Sequence, residues 1–283
     1  MPGKTLILGF GISGAMASAL LPDAVVVSKP VSMAFPSGPT YLYETPMTRR
    51  FVAELGFNPA TLTIRPGYVF GGAISEPEES VLYAYYKKTR GGEPDEEWMS
   101  DHMQKSFDVL DVSFSDVIKR VFYEREEQVL FDNIKSIDLN EKTVSGEICD
   151  YEYDNLIVTL PYPTFCKMAG IPCDVSYKPI SYCVEPATKL GSAIYETDFD
   201  YLYSLGEEPY RITKFKEPWV MSEYLGEKPD AMHTFFCGKI LGGQATDMRE
   251  YGVHFLGRYA QWKKNVKAHQ VLETVARLGQ VIQ

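Results

Sequence analysis

The chain has no C-x-x-C pair, no histidines at metal-ligand spacing, no run of Lys or Arg and no uninterrupted apolar stretch of membrane length. Each absence removes a class of function. Cys149, Cys166, Cys173, Cys183 and Cys237 are odd in number and irregularly spaced, which argues against a zinc site or a disulfide framework and for a reducing cytoplasm. The four histidines, His102, His233, His254 and His269, form no ligand pattern, so no metal is expected. A formal charge of -10 without a basic stripe gives no general attraction to nucleic acid, although a nucleotide-sized substrate stays compatible with it. A bilayer span needs about 20 apolar residues, and the one early run is broken by three glycines, which also argues against a secretory leader.

What is present begins at that broken run. Lys4-Thr-Leu-Ile-Leu-Gly9-Phe-Gly11-Ile12-Ser13-Gly14 is an apolar strand pattern entering G-x-G-x-x-G, followed by the helix-prone Ala15 to Leu21 and a second apolar run, Ala24 to Val27. This context predicts a dinucleotide site. Gly9 permits the tight turn, Gly11 leaves room for a pyrophosphate against bare backbone, and Gly14 lets helix and strand approach closely. The phosphates would meet a helix N-terminus, whose free N–H groups and dipole favour anions without a Lys or Arg.

At 283 residues and 45% apolar content, the chain can bury a large core arranged as two lobes. Ser28 to Pro46, with four prolines and Gly38, reads as an extended loop. A short helix over Thr48 to Gly56 and a hairpin over Tyr68 to Ile74 follow, then helices over Glu78 to Lys88 and Glu96 to Val121. Strands are expected over Val129 to Asp138, Thr143 to Ile148 and Asn155 to Leu160, and again over Lys189 to Tyr195, Tyr210 to Phe215 and Ala231 to Cys237. Val253 to Arg258 reads as a strand and a turn, and Tyr259 to Leu278 as a terminal helix.

Three segments carry a resemblance. Ile134 to Pro161 resembles the returning meander and final nucleotide-domain strand of glutathione-reductase-type FAD folds. Gly257-Arg258-Tyr-Ala-Gln-Trp262 resembles the flavin-contacting C-terminal motif of UDP-galactopyranose mutases and the wider amine-oxidase-like FAD superfamily. Pro209-Tyr210-Arg211-Ile-Thr-Lys214 resembles a mutase strand carrying Tyr-Thr-Arg. The resemblance implies an α/β fold: a Rossmann-like FAD-binding domain from 1–75, 125–165 and 250–283, a reduced helical insertion at 76–124, and an antiparallel-sheet substrate lobe at 166–249.

By the same resemblance, Gly9, Gly11, Ile12, Ser13 and Gly14 would cradle the FAD pyrophosphate. Ser28, Lys29, Gly38 and Pro161 would line the cofactor, and Gly257, Arg258 and Trp262 would lie beside the flavin. Arg65, Tyr210 and Arg211 are candidate substrate contacts, because Arg can hold a carboxylate or phosphate bidentately. Thr40 and Arg211 are the candidate catalytic residues. The departures are informative: the second strand ends in Ser28 and Lys29 where such folds carry a ribose-binding acid, Thr40 stands where a flavin-side His is usual, and Lys264 to Lys267 replace the mutases' tyrosines and acid.

Those departures disfavour UDP-galactopyranose. The implied reading is an FAD-dependent oxidoreductase or lyase acting on a C–N bond of an amine or amino-acid-like substrate, free or carried on a nucleotide or nucleobase. A mutase-like sugar isomerase and a non-catalytic FAD- or NAD-binding protein are the alternatives. The shortened middle of the chain implies an open site, or one completed by a second copy.

Overall fold

The computed structural model describes residues 3–30, 41–71, 73–187, 195, 197–206, 208–214 and 218–282. The chain opens with β1 (Thr5–Leu8), α1 (Ile12–Leu20) and β2 (Val25–Ser28). Pro22, which cannot donate to a continuing helix, follows the α1 C-cap Leu21. After β3 (Leu42–Tyr43), α2 (Pro46–Glu54) starts at a reciprocal cap, in which Thr48 N donates to Thr45 Oγ1 at 3.1 Å and Thr45 N to Thr48 Oγ1 at 2.8 Å. Then come β4 (Thr61–Ile64), the hairpin of β5 (Pro66–Phe70) and β6 (Ala73–Ser75), α3 (Glu79–Arg90) and α4 (Glu96–His102).

The single helix expected over Glu96 to Val121 is instead helix, strand and helix. β7 (Phe107–Leu110) interrupts it, and α5 (Phe114–Glu124) restarts at the Ser113 cap, whose Oγ accepts from Asp116 N. The reason is tertiary: β7 fills the gap between β3 and β4 and pairs antiparallel with both, a gain invisible to local propensity. The run expected as one strand over Val129 to Asp138 is likewise two, β8 (Val129–Phe131) and β9 (Ser136–Asp138), in different sheets.

β9, β10 (Thr143–Ser145) and β11 (Asp150–Glu152) form an antiparallel meander that leads into β12 (Asn155–Val158) and α6 (Tyr162–Ala169). The remaining elements are β13 (Val175–Pro186), β14 (Tyr201–Ser204), β15 (Arg211–Lys214), β16 (Trp219–Leu225), β17 (His233–Gly243), β18 (Val253–Phe255) and α7 (Ala268–Ile282). The terminal helix thus begins nine residues later than expected from Tyr259, and turns occupy 257–265. The strand expected over Lys189 to Tyr195 falls almost wholly outside the described residues.

Among the described residues, two sheets frame the molecule. One is parallel, in the order β18-β12-β1-β2-β8, and its strands are near-continuous apolar runs because both faces are covered. Ile7, Val26 and Ile157 face a core shared with α1, α5 and α7, while Leu8, Val27 and Val158 face a second core containing Phe165 and Trp262. The other sheet runs β17-β13-β16-β15-β14-β5-β6 and is antiparallel except where β14 pairs parallel with β5. The β5–β6 hairpin from the first quarter of the chain therefore extends the sheet built by the last third. Among the described residues, no helix is long and apolar enough to cross a membrane.

Candidate functional site

β1 lies between β2 and β12, so the chain leaves the centre of the parallel sheet in opposite directions. The carboxyl ends of such strands are where open α/β sheets leave a crevice for a ligand. The three glycines at this point have separate tasks. Gly9 has φ +96°, and a Cβ there would sit 2.8 Å from Thr159 Oγ1. A Cβ on Gly14 would collide with the carbonyl oxygen of Gly9. A Cβ on Gly11 would meet nothing within 4 Å. Gly9 and Gly14 thus serve the close turn itself, whereas Gly11 faces free space in front of the helix. Gly11 is also the N-cap of α1, with no side-chain cap and no acid in the first turn, so the first N–H groups of that helix are open to an anion.

The far end of the chain closes over this loop. Gly257, at φ +88°, passes so near Ser13 that a Cβ would strike its Oγ, and Arg258 follows directly. Ile12, Ser13 and Arg258 form one wall of a cavity of about 350 Å³. Its other walls come from α3 and α4 (Tyr85, Arg90, Trp98, His102), from the mixed sheet (Tyr182, Tyr203, Tyr210, Arg211, Lys239), and from the turns after β18 (Lys264, Lys267).

The chamber is aromatic and cationic. Trp98 and His102 stack at 3.8 Å between centroids, and His102 Nδ1 donates to Trp98 O at 2.9 Å. Burial, with Lys239, Arg90 and Lys267 nearby, holds the His102 imidazole neutral by lowering its pKa to about 3, against the upward pull of the Trp98 carbonyl. Burial raises the phenols of Tyr85, Tyr182 and Tyr210 well above their usual value. Lys239 lies over the Tyr210 ring at 4.4 Å, and burial, followed by repulsion from Arg90 and Arg211, pulls its ammonium well below the usual lysine range. Two buried polar atoms on these walls, Tyr85 OH and Arg258 Nε, have no hydrogen-bond partner. Buried polar atoms are paired as a rule, so orphans lining a cavity point to a ligand.

Of the residues singled out in the sequence, the structure brings Ile12, Ser13, Tyr210, Arg211 and Arg258 to this cavity. Arg211 is not a free cation there. Its Nε donates to Glu223 Oε1 at 2.6 Å, its Nη2 pairs with the same oxygen, and Tyr210 OH binds the other oxygen of this fully buried carboxylate. Arg65 is not brought to the cavity: it lies at the surface, 3.7 Å from Asp198. Trp262 fills core and donates from Nε1 to Gly242 O at 2.9 Å, and Pro161 is the N-cap of α6. Ser28 is buried and its Oγ donates to Lys29 O, with Lys29 exposed. Gly38 and Thr40 lie outside the described residues.

Sequence reasoning missed Glu223, Lys239, Arg90 and the Trp98–His102 pair. It also left open whether another acid replaces the one absent at Ser28. Asp132, which follows β8 and whose N donates to Ser28 O at 3.0 Å, does not: Asn133 N, Glu147 N, Ile148 N, Cys149 N and Tyr151 OH all donate to its carboxylate. Desolvation works against its charge, but these donors outweigh it and lower its pKa.

No protein-family model and no curated protein matches the chain. Solved structures do match it. A reduced UDP-galactopyranose mutase aligns with a TM-score of 0.66 at 12% identity, covering 99% of this chain and 94% of the mutase. The fold is that of the FAD-binding amine oxidases and UDP-galactopyranose mutase. A CLA-producing fatty acid isomerase from P. acnes aligns with a TM-score of 0.65 at 10% identity over 99% of this chain and 98% of its own. Cyclohexylamine oxidase from Brevibacterium oxydans gives 0.64 at 10% identity over 100% and 99%. Within the amine-oxidase fold, the glycine loop and the Gly257–Arg258 turn meet at the carboxyl edge of the parallel sheet, and the cavity opens between that edge and the mixed sheet.

Proposed function

We propose that the chain is an FAD-dependent enzyme that oxidises or cleaves a C–N bond of an amine or amino-acid-like substrate. The observation that carries this reading is the continuity of the cavity: one space runs from Ser13 and Arg258 to an aromatic, cation-rich chamber, with orphaned polar atoms on both sides. The residues present fit a dinucleotide. Gly11 and the free N–H groups of α1 would hold the pyrophosphate, and Arg258 Nε has no partner until something occupies the site. When bound, FAD would supply the hydride acceptor that no side chain can provide.

The chain's own residues would set the state of the substrate. Loss of hydride from a carbon next to nitrogen requires the amine as a free base. A wall carrying Arg90, Arg258 and Lys264, beside a Lys267 that Asp101 neutralises at 2.9 Å, disfavours a further positive charge and so favours that form. Trp98, Tyr182 and Tyr203 exclude water from one side. The imine left behind would hydrolyse once exposed to solvent.

A mutase-like isomerisation is the second reading, favoured by the whole-chain match to UDP-galactopyranose mutase. The commitment of Arg211 to Glu223 weighs against it, because the strand most like the mutases' offers no free arginine. The deciding experiment is the absorption spectrum of the purified protein, followed by anaerobic bleaching with a panel of amines, amino acids and nucleotide sugars. Bleaching by amines or amino acids supports the proposal. Turnover of a nucleotide sugar only with pre-reduced flavin selects the isomerase, and a protein that takes up no flavin overturns both.

A further inference from the structure

Lys239 is 7% exposed, yet no hydrogen bond or ion pair reaches its ammonium among the described residues. It sits on β17 against α3, from which Arg90 donates through Nη1 to the carbonyl of the adjacent Ile240 at 3.0 Å. Arg90 also has no carboxylate partner among the described residues. One turn earlier on α3, the buried Tyr85 hydroxyl lines the same cavity with nothing to bind. Two unpaired cations and an unpaired hydroxyl therefore border one end of an aromatic chamber, in a chain whose net charge is -10. Glu223, the carboxylate that acts on Lys239, is already neutralised by Arg211.

We propose that Lys239, Arg90 and the Tyr85 hydroxyl form an anion subsite that takes the carboxylate of the substrate. This rests on the reading above and narrows it: the substrate is a carboxylate-bearing amine rather than a simple alkylamine. A carboxylate has the lone pairs to accept from an ammonium, a guanidinium and a phenol together, and charge-assisted bonds of this kind are roughly twice as strong as neutral ones. Cyclohexylamine oxidase shares the fold, but the substrate in its name carries no acid. The two cations would reject a third and accept a molecule that brings its own negative charge.

The arrangement carries a proton-linkage signature. Facing Lys239 are Arg90 from α3, the neutral His102 from α4, Arg211 and Glu223 from the mixed sheet, Arg258 from the turn after β18 and the Tyr210 ring. With cations in excess, the empty site holds Lys239 with a depressed affinity for its proton, and an arriving carboxylate restores it. Carboxylate binding should take up a proton and weaken as pH rises.

The test uses the protein as purified, with its flavin, and two unreactive probes of one shape, phenylacetate and phenylacetamide, titrated calorimetrically at pH 8 in two buffers of different ionisation enthalpy. Phenylacetate should bind at least about tenfold more tightly than the amide, with a buffer-dependent heat that marks proton uptake. Lys239→Met should abolish both the preference and the uptake, and Arg90→Met should abolish the preference. Equal binding of acid and amide, binding of neither at millimolar concentration, or uptake unchanged in Lys239→Met overturns the subsite. Loss of flavin from Lys239→Met with phenylacetate binding intact also overturns it, assigning Lys239 to the cofactor. The wild-type measurements stand even where a variant misfolds. Because neither probe is an amine, a Lys239-dependent preference in a protein that no amino acid bleaches keeps the subsite and removes only the C–N chemistry.

Discussion

Arg211 Nε donates to Glu223 Oε1 across 2.6 Å on neighbouring strands, and the carboxylate that receives it is completely buried. The pair faces itself rather than a ligand. Its value is conditional, because a buried charge left without its partner costs far more than the intact pair contributes.

Arg211→Met should therefore destabilise the protein by about 3 kcal/mol, since Glu223 would remain ionised in a dry site or be forced to take up a proton. The double variant with Glu223→Met should recover much of that loss. Urea denaturation of the two single variants and the double variant measures this, and additive losses would show that the pair is not coupled.

Gly11 and Gly14 should separate binding from folding. Gly11→Val places its side chain in open space and should leave the melting temperature nearly unchanged while reducing FAD retention more than about tenfold. Gly14→Val drives its Cβ into the Gly9 carbonyl and should prevent the strand and helix from packing, giving little soluble protein. Flavin absorbance per mole of purified chain, beside thermal melting, distinguishes the two.

For Arg258→Met, the sign should reverse with the cofactor. Its unpartnered Nε costs about 1 kcal/mol when nothing binds it, so the flavin-free variant should be as stable as the parent or slightly more so. With saturating FAD the parent should gain more stability than the variant. Melting temperatures with and without added FAD give both comparisons.

Stability should fall on mild acidification through His102. Its pKa drops from an ordinary 6.5 to about 3 in the fold, so between these values the unfolded chain binds a proton that the native chain refuses. The contribution is complete above pH 6.5 and declines as pH falls towards 3. It removes on the order of 2–3 kcal/mol by about pH 4.5. His102→Gln should flatten the slope of unfolding free energy against pH in that window.

The parts of the site legible in the sequence are those whose chemistry is local. G-x-G-x-x-G declares a turn and a helix entry within six residues, and the Val25–Val27 run declares a buried strand. Gly257–Arg258 was readable only through its resemblance. Glu223 and Lys239 were not readable at all, because each is one polar residue in a β pattern, and its meaning depends on which strands β13 and β16 bring alongside. Arg90 lies beyond the helix read over Glu78 to Lys88, so its place at the end of α3, against β17, had no local sign. β7 was hidden for a related reason: four residues whose partners lie more than forty positions earlier leave no periodic trace longer than a helical turn.

The contact between Gly257 and Ser13 also bears on how the protein is made. The glycine loop leaves the ribosome well over two hundred residues ahead of the turn that closes over it, of the β18 strand that borders β12 and of the α7 helix that packs on α1. A nascent chain can fold β1, α1 and β2 and still have no enclosed pocket. Cofactor capture therefore waits for residues 253–282, and chains arrested before residue 257 should emerge colourless however well the segments before it have folded.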